Sequence, residues 1–228
     1  MAFRKKADHI LLLKPDILIV PECEHPDKLK FPNGTRIPND VFWFGENRNK
    51  GLGVFSYCDY KIKLLDNHNP EFKTILPLSL KNGKLDFTLF AIWANNPKDR
   101  DGHYVTQVWK ALQHYENLLK DSRTVLAGDF NSNTIWDRPR REGNHSTVVN
   151  MLEHRNIHSV YHTFFNETQG KEIHPTLFMY RNQNKTYHID YCFASTDFVK
   201  SISDVHVGSY ENWSALSDHA PLIVTFNF

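Results

Sequence analysis

The sequence predicts an α/β chain of the α+β kind, with two packed, mainly antiparallel sheets and helices on their outer faces. Three observations carry this. Short runs rich in Val, Ile, Leu and aromatic residues recur along the whole chain. Asn82-Gly83, a strong hairpin signal, separates two of them. Only a few segments show helical spacing, and they lie between groups of strands. No internal repeat, linker or low-complexity stretch breaks the 228 residues, so residues 1–228 read as one domain.

Phe3, Ala7, Ile10 and Leu11 recur at helical spacing and predict a helix over roughly 2–13, which Pro15 ends. The Lys5 and Lys6 face of that helix reads as surface. Residues 16–20 (DILIV) form a fully apolar strand, with Pro21, Glu22 and Cys23 at its exit. Residues 26–39, with three prolines and Gly34, read as a loop. Strands follow at 41–44, 51–57, 60–65, 74–80 and 85–94, as an antiparallel meander. Gly51 and Gly53 suggest close backbone approach there. Val105, Val108, Trp109, Leu112, Tyr115 and Leu119 share one face of a helix spanning about 102–119. A buried strand, 124–127, leads into Gly128-Asp129-Phe130-Asn131 and a long loop to 144. A short helix over 147–153, a strand over 158–162, strands at 176–180 and 186–194, and final strands at 203–207 and 222–228 complete the chain.

Hydrophobic residues make up 40% and charged residues 23%, and the formal net charge is +1. That excludes an overall basic field, so any nucleic-acid binding must rest on local patches. Cys23, Cys58 and Cys192 are odd in number and lie in apolar segments, which reads as buried thiols in a reducing compartment. No apolar run is long enough to cross a membrane and no signal peptide is present, so the expectation is a cytoplasmic protein with no membrane partner. Of the 13 histidines, His145, His162 and His174 read as structural.

Four strand exits carry acids or histidines: Glu22; Asp129 with Asn131; Asp190 in His188-Ile189-Asp190-Tyr191; and Asp218 with His219 in Ser217-Asp218-His219-Ala220-Pro221. Period-two geometry puts Asp129 and Asn131 on one side and Phe130 in the core. An acid within an apolar strand, such as Asp190, needs a partner or a metal. Several carboxylates around one pocket suit Mg²⁺, and a His oriented by an Asp suits proton or phosphate chemistry. The combination points to phosphoester hydrolysis. Zinc-ligand spacing, a P-loop and GxGxxG are all absent.

These motifs, with GLGVFS (51–56) and AIWAN (91–95), resemble in order and over nearly the whole chain the endonuclease/exonuclease/phosphatase superfamily, in particular its exonuclease III-like members. The resemblance implies the deoxyribonuclease I-like fold, a four-layered α/β sandwich. It implies that Glu22 and Asp218 hold Mg²⁺ or Mn²⁺ and that Asp129 activates the attacking water. Asn131 and Asn95 would hold the scissile phosphate, and His219, paired with Asp190, would stabilise the phosphoryl transition state. The chain departs from the pattern in three places. The family's first strand, with its metal-site Asn, has no counterpart ahead of the helix, so a segment before Met1 is expected. Pro21 replaces a Gln, and Ile92 stands where a Tyr or His is frequent.

Basic residues Arg138, Arg140 and Arg141 after GDFN, and Arg181 and Lys185 before HIDY, are candidates to track a phosphate backbone. Trp93, Trp136 and Trp213 are candidates to stack on bases. The resulting expectation is a monomeric, divalent-metal-dependent phosphodiesterase acting on DNA. Two alternatives stand beside it. One is a phosphatase or phosphodiesterase for a small molecule or lipid headgroup. The other is a non-catalytic member that binds nucleic acid or a partner.

Overall fold

The computed structural model describes residues 3–29, 34–95, 104–120 and 123–228. Its strands are β1 (Ile17–Cys23), β2 (Asp40–Asn47), β3 (Lys50–Ser56), β4 (Lys61–Leu64), β5 (Ile75–Lys81), β6 (Phe87–Trp93), β7 (Thr124–Asp129), β8 (Ile157–Ser159), β9 (Leu177–Phe178), β10 (Thr186–Tyr187), β11 (Asp190–Ser195), β12 (Ile202–Val207) and β13 (Leu222–Phe226). The α-helices are α1 (Ala7–Leu11), α2 (Val105–His114), α3 (His145–Glu153), α4 (Val160–Phe165), α5 (Thr196–Lys200) and α6 (Tyr210–Trp213). No described helix is long and apolar enough to cross a membrane.

The predicted meander is divided between two sheets. β1, β3 and β2 form one, in that order, while β4, β5 and β6 continue through β7 and β11 to β8 in another. All neighbours are antiparallel except β6 and β7, which run parallel because α2 lies between them in the chain. β12 and β13 pair with each other. They pack on the same core as β1, β2 and β3, since Val205, Val207, Leu222 and Val224 join Leu52, Val54, Leu78 and Ala91 there. Among the described residues β1 pairs only with β3 and β13 only with β12.

Alternation along the strands fixes the layers. In β5, Leu76, Leu78 and Leu80 point into the space between the sheets, and Ile75 points the other way. In β6, Leu89, Ala91 and Trp93 point inward, whereas Phe90 and Ile92 lie under α2 and α3. The α2 stripe of Val105, Val108 and Leu112 is buried there with Tyr115 and Leu119, as its spacing predicts. On the opposite outer face, Phe3, Ala7 and Leu11 cover Val20, Phe55 and Tyr57. The result is helix, sheet, sheet, helix. Truncating a fully buried residue such as Leu126 or Phe193 to Ala costs about 3–5 kcal/mol.

Several boundaries differ from the sequence reading for identifiable reasons. The N-terminal helix is a 3-10 turn, Phe3–Lys5, followed by α1. The helix predicted over 102–119 starts at Val105 within the described residues, and its last turn, Glu116–Leu119, is 3-10. The turn at Asn82-Gly83 is the start of a longer loop. Asn82 Oδ1 accepts the Lys84 and Leu85 N–H groups, Asp86 Oδ1 accepts those of Asn82 and Gly83, and Gly83 takes φ +78°. The strand predicted over 158–162 stops at Ser159. Tyr161 and Phe165 instead meet at helical spacing, ring centroids 4.8 Å apart, in α4. The run 186–194 divides into β10 and β11, because Thr176 Oγ1 takes the Ile189 and Asp190 N–H groups (3.0 Å each). α3 begins earlier than predicted: Asp137 accepts the His145 and Ser146 N–H groups at 2.8 and 3.0 Å and so caps it from a distance. Cys23 and Cys192 are buried free thiols, while Cys58 is half-exposed, which corrects the expectation for that residue.

Candidate active site

Sheet register builds the site. β6 and β7 run the same way, with Trp93 opposite Asp129, and β11 pairs Asp190 with the same Asp129. Asn95, Asp129 and Asn131 therefore leave the sheet at the end where Asp190 enters it. Gly128 makes this close approach possible. Its φ is +137°, and a Cβ on it would strike the Ile92 carbonyl of the neighbouring strand. The Asp218–His219 segment is tied to the same place by backbone bonds. The Phe178 N–H donates to the Asp218 carbonyl (2.7 Å), the Ala220 N–H donates to the Thr176 carbonyl (2.8 Å), and His219 bridges Leu177. Fully buried Thr176 thus holds both Asp190, through its hydroxyl, and the His219 loop, through its carbonyl.

Asp129 and Asn131 do meet, but not by strand alternation. β7 ends at Asp129, and Asn131 sits in left-handed backbone at φ +47°. Its own N–H donates to Asp129 Oδ1 (2.8 Å), and its Nδ2 donates to Asp129 Oδ2 (2.7 Å) and to the Ala94 carbonyl (2.8 Å). Both amide hydrogens of Asn131 are therefore engaged, and the residue fixes the carboxylate. Asn95 Nδ2 donates to Thr74 Oγ1 (3.0 Å), which leaves one amide hydrogen without an acceptor among the described residues. Phe130 is buried in the core beside Tyr191 and Phe193.

Asp129 is 5% exposed. Burial, then the neighbouring Asp190 carboxylate, pushes its pKa well above the usual carboxylate range, although His219 and the Asn131 N–H pull it back. Asp190 Oδ2 lies 2.9 Å from His219 Nδ1. Burial opposes charge on that imidazole. The Asp190 charge and hydrogen bond, with Asp129 and Asp218 beyond, outweigh it and push the His219 pKa up to about 9. The cluster therefore combines a carboxylate of raised basicity with an imidazolium that persists at neutral pH.

Glu22 lies at a bulge in β1, in left-handed backbone (φ +59°), with its side chain exposed. The bulge carries β1 beyond the exit predicted after residue 20, through Pro21 to Cys23. Lys50 Nζ sits 2.8 Å from Glu22 Oε1 and also lies over the Trp93 ring, 5.2 Å from its centroid. The Asp218 carboxylate accepts no hydrogen bond and closes no ion pair among the described residues. Asp129, Asp190 and His219 each bring a ligand-type atom within 4.8 Å of the others. Within that set Asp190 and His219 are hydrogen-bonded to each other, while Asp129 is held by Asn131. Outside that set, the carboxylate oxygens of Glu22 and Asp218 receive no N–H from the backbone or an amide among the described residues, and oxygens of that kind suit a hard divalent ion.

Lys6 was not legible as part of the site. It is half-buried, not surface, and its Nζ donates to Ser217 Oγ (3.3 Å), whose oxygen also accepts the His219 N–H (3.2 Å). Burial lowers the Lys6 pKa, while Asp218, Asp190 and Glu22, in that order, draw it back up. Thr176 gave no signal beyond its place in a strand, and Ser217, although part of the Ser217–Pro221 run, was assigned no role.

Other predicted residues sit outside this cluster's bonds. Arg138 and Arg140 are exposed, and Arg141 Nε donates to Asn144 Oδ1 (2.9 Å) within its own loop. Exposed Arg181 reaches the Ala215 carbonyl (3.4 Å). Lys185 lies over Tyr180. Trp93 and Trp213 are core residues, whereas Trp136 is 38% exposed and rests against Tyr187. Ile92 is fully buried under the helices, so it contributes no group to the cluster.

No family model and no curated protein sequence matches the chain. Solved structures do. An AP endonuclease from Archaeoglobus fulgidus superposes with TM-score 0.70 at 18% identity, over 100% of this chain and 96% of that one. A Neisseria 3′ phosphatase bound to a product DNA hairpin gives 0.69 at 17%, over 100% and 96%. An endonuclease/exonuclease/phosphatase family protein from Leptotrichia buccalis gives 0.61 at 14%, over 99% and 92%. The chain has the deoxyribonuclease I-like fold of these proteins.

Proposed function

We propose that the chain is a divalent-metal-dependent phosphodiester hydrolase acting on DNA, working as one catalytic unit over residues 1–228 and as a monomer. The observation that carries the reading is the join across β7 and β11: a buried, high-pKa Asp129 in register with Asp190, which holds His219 through Nδ1. Fold and strand-end chemistry agree, since structures of this fold include an AP endonuclease and a 3′ phosphatase bound to a DNA hairpin. The three unpaired thiols suit a reducing compartment such as the cytoplasm.

In this reading Asp129, fixed by Asn131, orients the attacking water and accepts its proton. Its raised pKa makes it a stronger base than an exposed carboxylate. His219, held charged by Asp190, donates to a non-bridging phosphoryl oxygen as negative charge builds there. Asn95, with one amide hydrogen left, takes a second oxygen. Glu22 and Asp218 would hold Mg²⁺ or Mn²⁺, which when bound supplies positive charge to the phosphate and the leaving oxygen. Arg138, Arg140, Arg141 and Arg181 would follow the backbone beyond the cut. Exposed Trp136 is better placed than buried Trp93 to meet a base.

The test is a substrate panel with Mg²⁺ or Mn²⁺: abasic duplex, plain duplex, single-stranded DNA, RNA and phosphomonoesters. Cleavage of DNA that EDTA abolishes is the expected result. Cleavage surviving EDTA overturns metal dependence. Phosphate release from small esters with no cut in nucleic acid favours the small-molecule alternative, and binding without turnover favours the non-catalytic one.

A further inference from the structure

We propose that the Lys6 ammonium, held at Ser217 beside Asp218, is a tethered cation that competes with the divalent ion. The inference rests on the reading of Glu22 and Asp218 as the metal pocket, and adds a control on its occupancy that comes from the N-terminal turn.

Lys6 is placed, not merely present. The turn before it is docked through Phe3, 1% exposed, and followed by Ala7, equally buried. Buried Glu24 fixes the same turn from β1's far end: it accepts the Phe3 N–H (2.8 Å) and pairs with Arg4. From that base the Lys6 side chain crosses to Ser217, 211 residues away in sequence, and ends 3.3 Å from its hydroxyl oxygen. Ser217 is 4% exposed and directly precedes Asp218. The acids that act on Lys6 come from three separate segments, with Asp218 first, then Asp190 and Glu22. Among the described residues Lys6 closes an ion pair with none of them. Its ammonium is held instead at Ser217, the residue before Asp218, whose hydroxyl oxygen also accepts the His219 N–H. Lys50 differs: it is a direct partner of Glu22 alone and also covers Trp93.

Two positive charges cannot share a small carboxylate pocket without repulsion. Metal binding must therefore displace the Lys6 head or proceed against it. Lys6→Met keeps the apolar stem and removes the charge, Lys6→Arg keeps a charge, and Lys5→Met removes an exposed charge one residue away.

The experiment is calorimetric titration of the full chain with Mn²⁺ alone, at fixed ionic strength, for the wild type and these three variants. Lys6→Met is expected to bind Mn²⁺ roughly tenfold tighter or more. Lys6→Arg is expected to bind no tighter than wild type, and Lys5→Met within about twofold of it. If Lys6→Met does not fold, judged by far-UV circular dichroism, Lys6→Gln carries the same expectation. Equal affinity in wild type and the neutral Lys6 variant overturns the tethered cation and leaves the metal reading standing. Absence of Mn²⁺ binding in both overturns the metal reading and the inference together. Equal tightening by Lys5→Met and Lys6→Met overturns the inference in favour of a general charge effect.

Discussion

His219 with Asp190 and His162 with Glu172 are the same chemical pair at nearly the same distance, 2.9 and 3.0 Å, in two settings. The second pair is sealed, its side chains 9% and 4% exposed. Every strong group in it is answered. Glu172 also takes the Gly170 N–H (2.8 Å) and Asn133 Nδ2 (3.1 Å), and His162 Nδ1 meets Ser159 Oγ (2.7 Å) and Gln169 Nε2 (3.2 Å). The first pair is more open, 33% and 17% exposed, and two further acids, Asp129 and Asp218, act on its imidazole. Distance does not separate the two settings. The neighbouring acids, Asp129 in register with Asp190 and Asp218 directly before His219, do.

The comparison can be broken by mutation. Asp129→Ala or His219→Ala is expected to lower kcat/KM by roughly 10³-fold in protein that is still folded at the assay temperature. A steady-state assay on the preferred DNA substrate beside a thermal melt checks this, and unchanged activity would remove these residues from the mechanism. Glu172→Ala should do the reverse. It leaves a buried imidazole and several donors without their acceptor, at a cost of about 3 kcal/mol or more, which lowers Tm by roughly 6–12 °C. Its activity below the melt should remain within a few-fold of wild type; a catalytic loss comparable to that of His219→Ala would erase the distinction.

Acid and base should act on the two pairs in opposite directions. The folded pKa of His219 is raised to about 9, so its contribution to stability is complete below about 6.5 and is lost as pH rises through 9. Activity should fall over the same limb, and Asp190→Asn should move that limb toward lower pH in a rate profile. Burial works against the Glu172 charge, but His162, the Gly170 N–H and Asn133 outweigh it and hold its pKa at about 2. Its contribution is present above about 4.5 and is lost as pH falls through 2. His145, fully buried and held neutral to about pH 4, adds a loss that begins below about 6.5. Denaturant melts at stepped pH values should therefore show an acid limb that Glu172→Gln flattens and Asp190→Asn does not. The smallest effect belongs to the arginines of the loop after Asn131. Replacing Arg138, Arg140 and Arg141 together with Ala should raise KM for DNA by a few-fold and reduce its salt dependence, with kcat nearly unchanged.

How much of this was legible follows the physics of each part. Apolar runs ending in acids, such as DILIV before Glu22 and VLAG before Asp129, announced strands and site together because burial and chemistry change within two residues. HIDY and SDHAP did the same. Asp190 gave itself away as an acid within an apolar run, although it proves to be the first residue of β11. Lys6 could not be read, because its role depends on Phe3 docking to a core and on Glu24 holding the turn, contacts between residues about twenty apart with no common period. The left-handed backbone at Asn131 was hidden for a different reason: strand alternation gives the correct partner there by the wrong geometry. The division of 186–194 was hidden too, since one threonine hydroxyl decides where a ladder ends.

Gly128 carries no functional group, yet it sets the spacing on which Asp129 depends. If every position of the chain were randomised and survivors selected for activity, position 128 should return as glycine almost as strictly as position 129 returns as aspartate. The two would fail differently, one as folded but inert protein and the other as protein that never accumulates. A screen that scored only function would assign them the same role, and measuring abundance alongside it would separate the residue that reacts from the one that leaves room.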